Sequence, residues 1–340
     1  MKGLDKSAVV ITDGDLIFDY ISFYVDDGFL VNIDGVSYLL TDGRYIEHAR
    51  LYAKAKCFLQ SDMSLEKLLS DNGVKNVGLV YNYTSASLYS RLISLGYKVF
   101  DYTEAYNEYS SIKTSEKLSK IEKACEITER AFELTLPSIK EGITELELSA
   151  VLEYNFKRLG GLVGFETIVA FGEGSSVPHY KTGDKKLEKG MPILMDFGCS
   201  YQGYLSDMTR TLFFGEPSYE FSRVYNAVKN AQEFAYKNIT SGMTCRSADF
   251  LARNYLKSCG LDKYFTHSLG HGIGVKIHEY PTLNTRSETV LKDGMVFSIE
   301  PGVYIENEFG IRIEDTVVLQ NGKCKSLMKS SKDPIIISVK

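Results

Sequence analysis

The fold is decided by residues 190–209, GMPILMDFGCSYQGYLSDMT, because residues 294–316, GMVFSIEPGVYIENEFGIRIEDT, repeat their plan. Gly190-Met191 corresponds to Gly294-Met295, Asp196 to Glu300 and Gly198 to Gly302, all at an offset of 104. Gly203, Asp207 and Thr209 correspond to Gly310, Glu314 and Thr316 at an offset of 107. Upstream, Gly142-Ile143-Thr144 matches Gly242-Met243-Thr244, and Gly160 matches Gly260, at an offset of 100. One pair of matching glycines is a coincidence. Three blocks whose offset only grows, each carrying an acid or a turn residue, mark a duplicated unit with small insertions. This part of the chain therefore reads as one domain of two related α–β halves.

Outward from the repeats, Leu118, Ile121, Cys125, Thr128 and Phe132 recur at three- and four-residue spacing, the apolar face of a long helix. Thr144-Glu145-Leu146-Glu147 is a capping-box start for a helix that runs to Gly160, and another helix is expected from Ser218 to Asn238. The first hundred residues alternate strand-like and helix-like patterns. Phe29–Ile33 and Val36–Thr41 flank Asp34-Gly35, a hairpin signal because both central positions tolerate positive φ. Strands are also expected at Ser7–Thr12, Cys57–Leu59, Asn76–Tyr81 and Lys98–Asp101, with helices at Arg44–Ala53 and Ser85–Leu95. No cofactor-binding loop is recognisable among them. The polar segment Thr103–Ser111 reads as a linker. The fold class is α+β: an N-terminal α/β domain over residues 1–112, then a catalytic domain over residues 113–340.

Composition narrows the function. The 340 residues carry 39 Lys and Arg against 44 Asp and Glu, a formal net charge of −5. That balance excludes a nucleic-acid binder that neutralises phosphates over a broad face. No apolar run approaches the roughly 20 residues that span a bilayer, so no membrane association is expected. Met1–Lys6 meets acidic residues too soon for the apolar core of a signal peptide. The six cysteines are scattered, with no Cys-x-x-Cys pair, and read as reduced thiols of a cytoplasmic protein.

The acids of the repeat carry the chemistry. A fold-back at Tyr201-Gln202 pairs residues whose numbers total 403, which sets Asp196 opposite Asp207 with Cβ atoms about 5 Å apart. Two bare carboxylates so close repel, and a cation between them removes the conflict. In the second half, Glu300 and Glu314 flank the turn around Asn307, with pairs totalling 614. Joining the two hairpins about a pseudo-twofold gathers four carboxylates, a cluster tolerable in a core only around metal. Three of the five histidines, His267, His271 and His278, fall within twelve residues. A lone histidine is more often a packed residue than a ligand, but this density reverses the preference. His271 lies between Gly270 and Gly272, which would let backbone approach a metal closely, and His179, just upstream, is a candidate for the same pocket. Four carboxylates and an imidazole suit paired Mn²⁺, Fe²⁺, Co²⁺ or Zn²⁺. Two such ions about 3.5–4 Å apart hold a hydroxide at neutral pH and clamp a tetrahedral transition state, which is hydrolytic chemistry.

MDFG (195–198), GYLSDMTRT (203–211), HSLGHGIGVKIHEYP (267–281), SIEPGVY (298–304) and GIRIEDT (310–316) resemble the signatures of metallopeptidases with the pita-bread fold. LLTDGRYIEHA (39–49), with a creatinase-like N-terminal domain, resembles Xaa-Pro aminopeptidases and the related Xaa-Pro dipeptidases, or prolidases. The resemblance spans essentially the whole chain. It implies Asp196 as a terminal ligand of one metal, Asp207 and Glu314 as bridging ligands, and His271 and Glu300 completing the other site. It further implies that Glu300 handles the nucleophile's proton and that His179 and His278 orient substrate and stabilise the oxyanion. His267 matches a further active-site histidine, and Arg312 would fix carboxylates by hydrogen bonds. Two divalent ions per subunit, manganese foremost with cobalt, zinc or iron as substitutes, would hold the hydroxide that attacks the carbonyl before proline. The substrates implied are peptides with proline in second position, and the assembly implied is a homodimer.

Other readings are weaker. Asp196-Phe197-Gly198 suggests a kinase, but no Gly-rich loop or His-Arg-Asp motif accompanies it. The 23 tyrosines, in a chain without tryptophan, read as core and interface filler. Cys199 has no base at suitable spacing and points away from Asp196 on an alternating strand, so it reads as buried filler. A non-catalytic binding module or a metal-free creatinase-like hydrolase would lack ligands, and none is missing. Methionine aminopeptidases generally lack a comparable N-terminal domain. Between aminopeptidase and dipeptidase, residues 41–49 favour the aminopeptidase.

Overall fold

The computed structural model describes residues 6–338. Met1–Asp5, on which the signal-peptide reading rests, lie outside them. The chain forms two compact units, Met1–Ser110 and Ser111–Lys340.

The first unit comprises β1 (Lys6–Ile11), α1 (Gly14–Ile21), β2 (Gly28–Ile33), β3 (Val36–Thr41), α2 (Ile46–Tyr52), β4 (Lys56–Leu59), α3 (Leu65–Asp71), β5 (Val74–Leu79), α4 (Ala86–Ser94), β6 (Lys98–Asp101) and α5 (Thr103–Ser111). The sheet runs β4-β3-β2-β1-β5-β6. Asp34 (φ 51°) and Gly35 (φ 79°) make the β2–β3 turn, with Ile33 opposite Val36, as their sequence predicts. Because strand side chains alternate, Val10, Val31 and Leu79 face α3 and α4, while Ile11, Leu30 and Leu39 face α1 and α2. In this unit α1 and α3 lie where the sequence reading placed no element. Their start signals are Asp13, whose Oδ1 accepts from the N–H groups of Asp15 and Leu16, and Ser64, whose Oγ accepts from Lys67 N–H. Thr103–Ser111 is a helix, not an extended linker. Asp101 Oδ1 caps Thr103 N–H at 2.8 Å, Tyr106 is buried, and the Tyr109 ring stacks on Tyr20 at 4.5 Å. Aromatic burial on one face overrides the polar composition.

The second unit holds the repeat. Its first half contains α6 (Ser115–Thr135), α7 (Glu145–Arg158), β7 (Leu162–Val163), β8 (Ile168–Phe171), β9 (Met191–Phe197), β10 (Cys199–Tyr201), β11 (Tyr204–Leu205) and β12 (Met208–Phe214). Its second half contains α8 (Tyr219–Asn238), α9 (Cys245–Ser258), β13 (Gly270–Gly272), β14 (Glu279–Leu283), β15 (Val296–Ile299), β16 (Gly302–Ile305), β17 (Phe309–Arg312), β18 (Asp315–Gln320), β19 (Lys323–Ser326) and the closing strand β20 (Ile335–Ile337). Helices pair within each half, α6 with α7 and α8 with α9. The duplication extends to single bonds. α7 and α9 each have 14 residues and are capped by Thr144 and Thr244, which accept from the N–H groups of Glu147 and Ser247. Gly142 and Gly242, at φ 80° and 90°, donate to the carbonyls of Leu187 and Leu291, both at 2.8 Å. Phe197 stacks on Phe132 in the first core, while α8 and α9 pack Val228, Ala231 and Ala252 against Phe297, Ile299 and Val317 in the second.

The two hairpins differ from expectation in one respect. In the second half, Gly302 faces Arg312 and Ile299 faces Asp315, so the register totals 614 and Glu300 stands across from Glu314 as predicted. In the first half, the turn is Gln202-Gly203 (φ 49° and 81°), not Tyr201-Gln202, and pairs total 405. Asp196 therefore faces Thr209, and Asp207 is its diagonal neighbour. A slip of two preserves the face, so both carboxylates still point the same way. The hairpins lie side by side: Glu314 N–H donates to Thr209 O at 3.2 Å, and Thr211 Oγ1 donates to Arg312 O at 3.0 Å. Among the described residues, no helix is long and apolar enough to cross a membrane.

Candidate metal centre

Asp207, His271 and Glu314 present ligand atoms that all lie within 4.8 Å of one another. His271 Nε2 is 3.5 Å from Asp207 Oδ2 and 3.3 Å from Glu300 Oε1. Asp196 is outside that trio; its Oδ2 accepts from Arg312 Nη2 at 2.6 Å. The glycines beside His271 serve neighbouring strands rather than a metal. A Cβ on Gly270 would lie 2.0 Å from Ser298 O, and one on Gly272 would lie 2.4 Å from Tyr280 O. Their absence lets β13 settle between β14 and β15, and Ser298 Oγ then accepts from His271 N–H at 3.1 Å.

The electrostatics are those of a cation site. Asp207 and Glu314 are only 4% and 1% exposed, out of reach of bulk water. Burial, then repulsion from Asp196, pushes Glu314 up to about 8. Burial followed by the Glu314 charge raises both Asp207 and Glu300 well above the usual carboxylate range. Asp196 Oδ1, Asp207 Oδ1 and Glu314 Oε1 are buried without a hydrogen-bond partner. A buried carboxylate oxygen with no donor is strongly destabilising unless something positive meets it. Burial, then the neighbouring His278, lowers His271 to about 4, so its imidazole is neutral. With its Nδ1 proton directed at Gly272 O, 3.2 Å away, Nε2 keeps a lone pair turned to the acids. These donors fit hard divalent cations.

A supporting shell orients the acids. Arg312 Nε donates to Thr209 Oγ1 at 2.9 Å, and Thr209 Oγ1 donates to Glu314 Oε2 at 2.5 Å. Arg312 Nη1 donates to Tyr304 Oη at 2.7 Å and to Pro178 O at 3.3 Å. Burial alone would lower Arg312, but Tyr304 and the acids Asp196, Glu300 and Glu314 reverse that and raise it, so it stays charged. His267 Nε2 lies 2.9 Å from Tyr304 Oη, and its Nδ1 is 2.8 Å from Ser268 O. Burial and then Arg312 hold His267 down at about 3, so it is neutral and accepts the tyrosine proton. His278 packs edge-on against His271, with centroids 4.4 Å apart, and is lowered by burial and then by His179. Packed on one side, His278, like His179, keeps part of its surface open to solvent.

Thr209, Tyr304, Ser298 and Thr316 belong to this shell, and sequence reading missed them. Thr316 Oγ1 receives Asp207 N–H at 3.0 Å. The signal was available: residues 300, 302 and 304 share a strand face, as do 310, 312 and 314. A tyrosine four residues from Glu300 was therefore placed to reach the same pocket. Cys199 is buried, its thiol directed at Ala124 O and pushed up by burial to about 11, as befits filler.

Comparison with known proteins agrees. The sequence profile of metallopeptidase family M24 matches residues 119–321. An Xaa-Pro dipeptidase from Pyrococcus furiosus is 43% identical over 223 residues, 65% of this chain and 64% of its own length. Among solved structures, the X-Pro aminopeptidase from Thermotoga maritima MSB8 superposes with a TM-score of 0.91 at 33% identity, covering 98% of both chains. The Xaa-Pro dipeptidase from Bacillus anthracis gives 0.93 at 32% identity, covering 98% of this chain and 95% of that one. The fold is the pita-bread fold of those enzymes. Built on a duplicated α–β unit with acids and a histidine gathered between its hairpins, this chain belongs to metallopeptidase family M24.

Proposed function

We propose that this chain is an Xaa-Pro aminopeptidase that releases the N-terminal residue from peptides with proline in second position. The observation that carries the hydrolytic reading is the set of three buried, partnerless oxygens on Asp196, Asp207 and Glu314. Asp196, Asp207, His271, Glu300 and Glu314 would hold two divalent cations, manganese foremost, with Asp207, His271 and Glu314 at the heart of the set. When bound, the cations supply Lewis acidity and make water a nucleophile at neutral pH. Glu300, held by Ser298 Oγ at 3.3 Å, takes the proton and passes it towards the proline nitrogen. His179 and His278 orient the scissile carbonyl and stabilise its developing charge. Arg312 keeps Asp196 and, through Thr209, Glu314 in place. The cytoplasmic location we infer is supported by the six free cysteines, and a homodimer is our reading of its assembly.

The match to the Thermotoga maritima X-Pro aminopeptidase across 98% of both chains supports the aminopeptidase. The 43% identity to the Pyrococcus furiosus dipeptidase favours a second reading, a prolidase restricted to dipeptides. Manganese-loaded protein should hydrolyse an Xaa-Pro tripeptide as well as an Xaa-Pro dipeptide. Turnover of the dipeptide alone would replace the first reading with the second. Asp207→Ala or Glu314→Ala should abolish both metal uptake and hydrolysis, and retained Xaa-Pro turnover in a metal-free variant would overturn the hydrolytic reading.

A further inference from the structure

The capping box at the start of α7 accounts for Thr144 and Glu147 but leaves Glu145 unexplained. Glu145 is fully buried, at 0% exposure, where a carboxylate is costly unless every oxygen is engaged. Its partners bracket one loop. Oε1 accepts from Phe171 N–H at 2.8 Å; Oε2 accepts from Gly183 N–H at 3.0 Å and from Tyr180 Oη–H at 3.1 Å. Phe171 precedes the loop, Gly183 follows it, and Tyr180 is the residue after His179. The opposite side of the loop is held where Gly310 N–H donates to Ser175 Oγ at 2.9 Å and Arg312 reaches Pro178 O. Gly174 leaves room for the Tyr180 ring, which a Cβ there would approach to 3.0 Å. An exposed imidazole thus stands on a backbone pinned on both sides.

The second half solves the same problem one helical turn later. Position 245, equivalent to 145, is a cysteine, and the buried acid is Asp249 of α9. Asp249 Oδ1 accepts from Leu269 N–H at 3.1 Å, and both its oxygens bind Arg253, whose guanidinium donates to Phe265 O at 2.8 Å and His267 O at 2.9 Å. Each half therefore uses one acid on its equivalent helix to tie down the loop that carries a histidine of the centre.

We propose that Glu145 is a positioning residue, whose buried carboxylate fixes the loop from Phe171 to Gly183 and so sets where the His179 imidazole stands over the reacting carbonyl. This rests on the reading that His179 meets substrate. Glu145→Gln keeps size and shape but must aim an N–H₂ at one or more of the three donors, forcing the loop to move. Tyr180→Phe removes a single anchor and leaves the buried acid intact.

The test is a double-mutant cycle of E145Q and H179A in metal-loaded enzyme with an Xaa-Pro tripeptide, together with ring NMR signals of His179 in zinc-loaded, diamagnetic protein. Metal content of two per chain should be unchanged. E145Q should lower kcat/KM by about 10–100-fold, as misplacement of a substrate-facing group does. In the H179A background it should cost nothing further, and Y180F should shift the same signals less. An equal loss with and without His179, or an unmoved His179 ring signal in E145Q, would overturn the proposal. Should E145Q fail to fold, Y180F carries the same cycle, and an unmoved ring there overturns it likewise. If H179A alone leaves turnover unchanged while the ring signal moves in E145Q, the positioning holds and the catalytic role assigned to His179 fails.

Discussion

Stripping the metal from this protein should make its stability fall as pH rises through neutrality. In the metal-free fold, Glu314 is raised to about 8, and Asp207 and Glu300 are raised as well, by burial and mutual repulsion. In the unfolded chain, the same groups titrate near their ordinary values of about 4. Above that value the folded state binds more protons than the unfolded one, so unfolding becomes easier as pH climbs. His267 and His271 act oppositely. Lowered to about 3 and about 4, they are neutral in the fold while protonated in the unfolded chain below about 6.5, which favours folding as pH rises to that point. At pH 6.5 each unfolded imidazole is still half protonated, so from there to pH 8 the histidines return only about 0.4 kcal/mol each and the acids dominate. Across that window Glu314 contributes a loss of about 2 kcal/mol, and the raised Asp207 and Glu300 act in the same direction. At about 2–4 °C per kcal/mol for a unit of this size, Glu314 alone lowers the melting midpoint by roughly 4–8 °C. Cations hold the acids ionised and remove the penalty, so the gap between loaded and metal-free protein should widen with pH. Differential scanning calorimetry of chelated and reloaded protein, at fixed free metal, measures this directly. Glu314→Gln should flatten the metal-free slope. A metal-free midpoint that is level or rises from pH 6.5 to pH 8 would refute the reasoning.

Two further outcomes follow from packing. Arg210 is 1% exposed and donates to the carbonyls of Thr209, Glu314, Ser330 and Ser331 and to Asp315 Oδ1 at 2.8 Å, so Arg210→Met takes one of two cations from a buried acid and a donor from each of four carbonyls. It should cost about 3–5 kcal/mol by chemical denaturation, and a loss below about 1 kcal/mol would show that Lys332, 2.7 Å from Asp315, suffices alone. Gly310→Ala would place a Cβ 2.0 Å from Ser175 O, pushing the loop that carries His179 away from β17. The expected result is about 1–3 kcal/mol of destabilisation and reduced kcat/KM with full metal content; wild-type kinetics would contradict the close packing.

The periodic and local features were legible in the sequence. The duplication was visible as growing offsets, the Asp34-Gly35 and Asn307 turns as residues that accept positive φ, and the capping box at Thr144 as a spacing rule. The same rules, applied one residue too early at Tyr201-Gln202, displaced the Asp196 pairing by two without turning the side chain to the other face. Thr103–Ser111 misled because its composition is polar, while its stability comes from Tyr106 and Tyr109 packing on residues some 90 positions away. Carboxylates in a repeat could be read as candidate ligands because alternation in a strand is a property of the chain alone. What only the tertiary structure decided was the company they keep: Asp207 beside Glu314, Arg312 reaching Asp196, Tyr304 beneath His267, Glu145 gripping a loop from another element. Those contacts join residues more than a hundred positions apart, or across separate helices and strands. They depend on which faces the two halves bury against each other, a global minimum of packing and charge that no local pattern encodes.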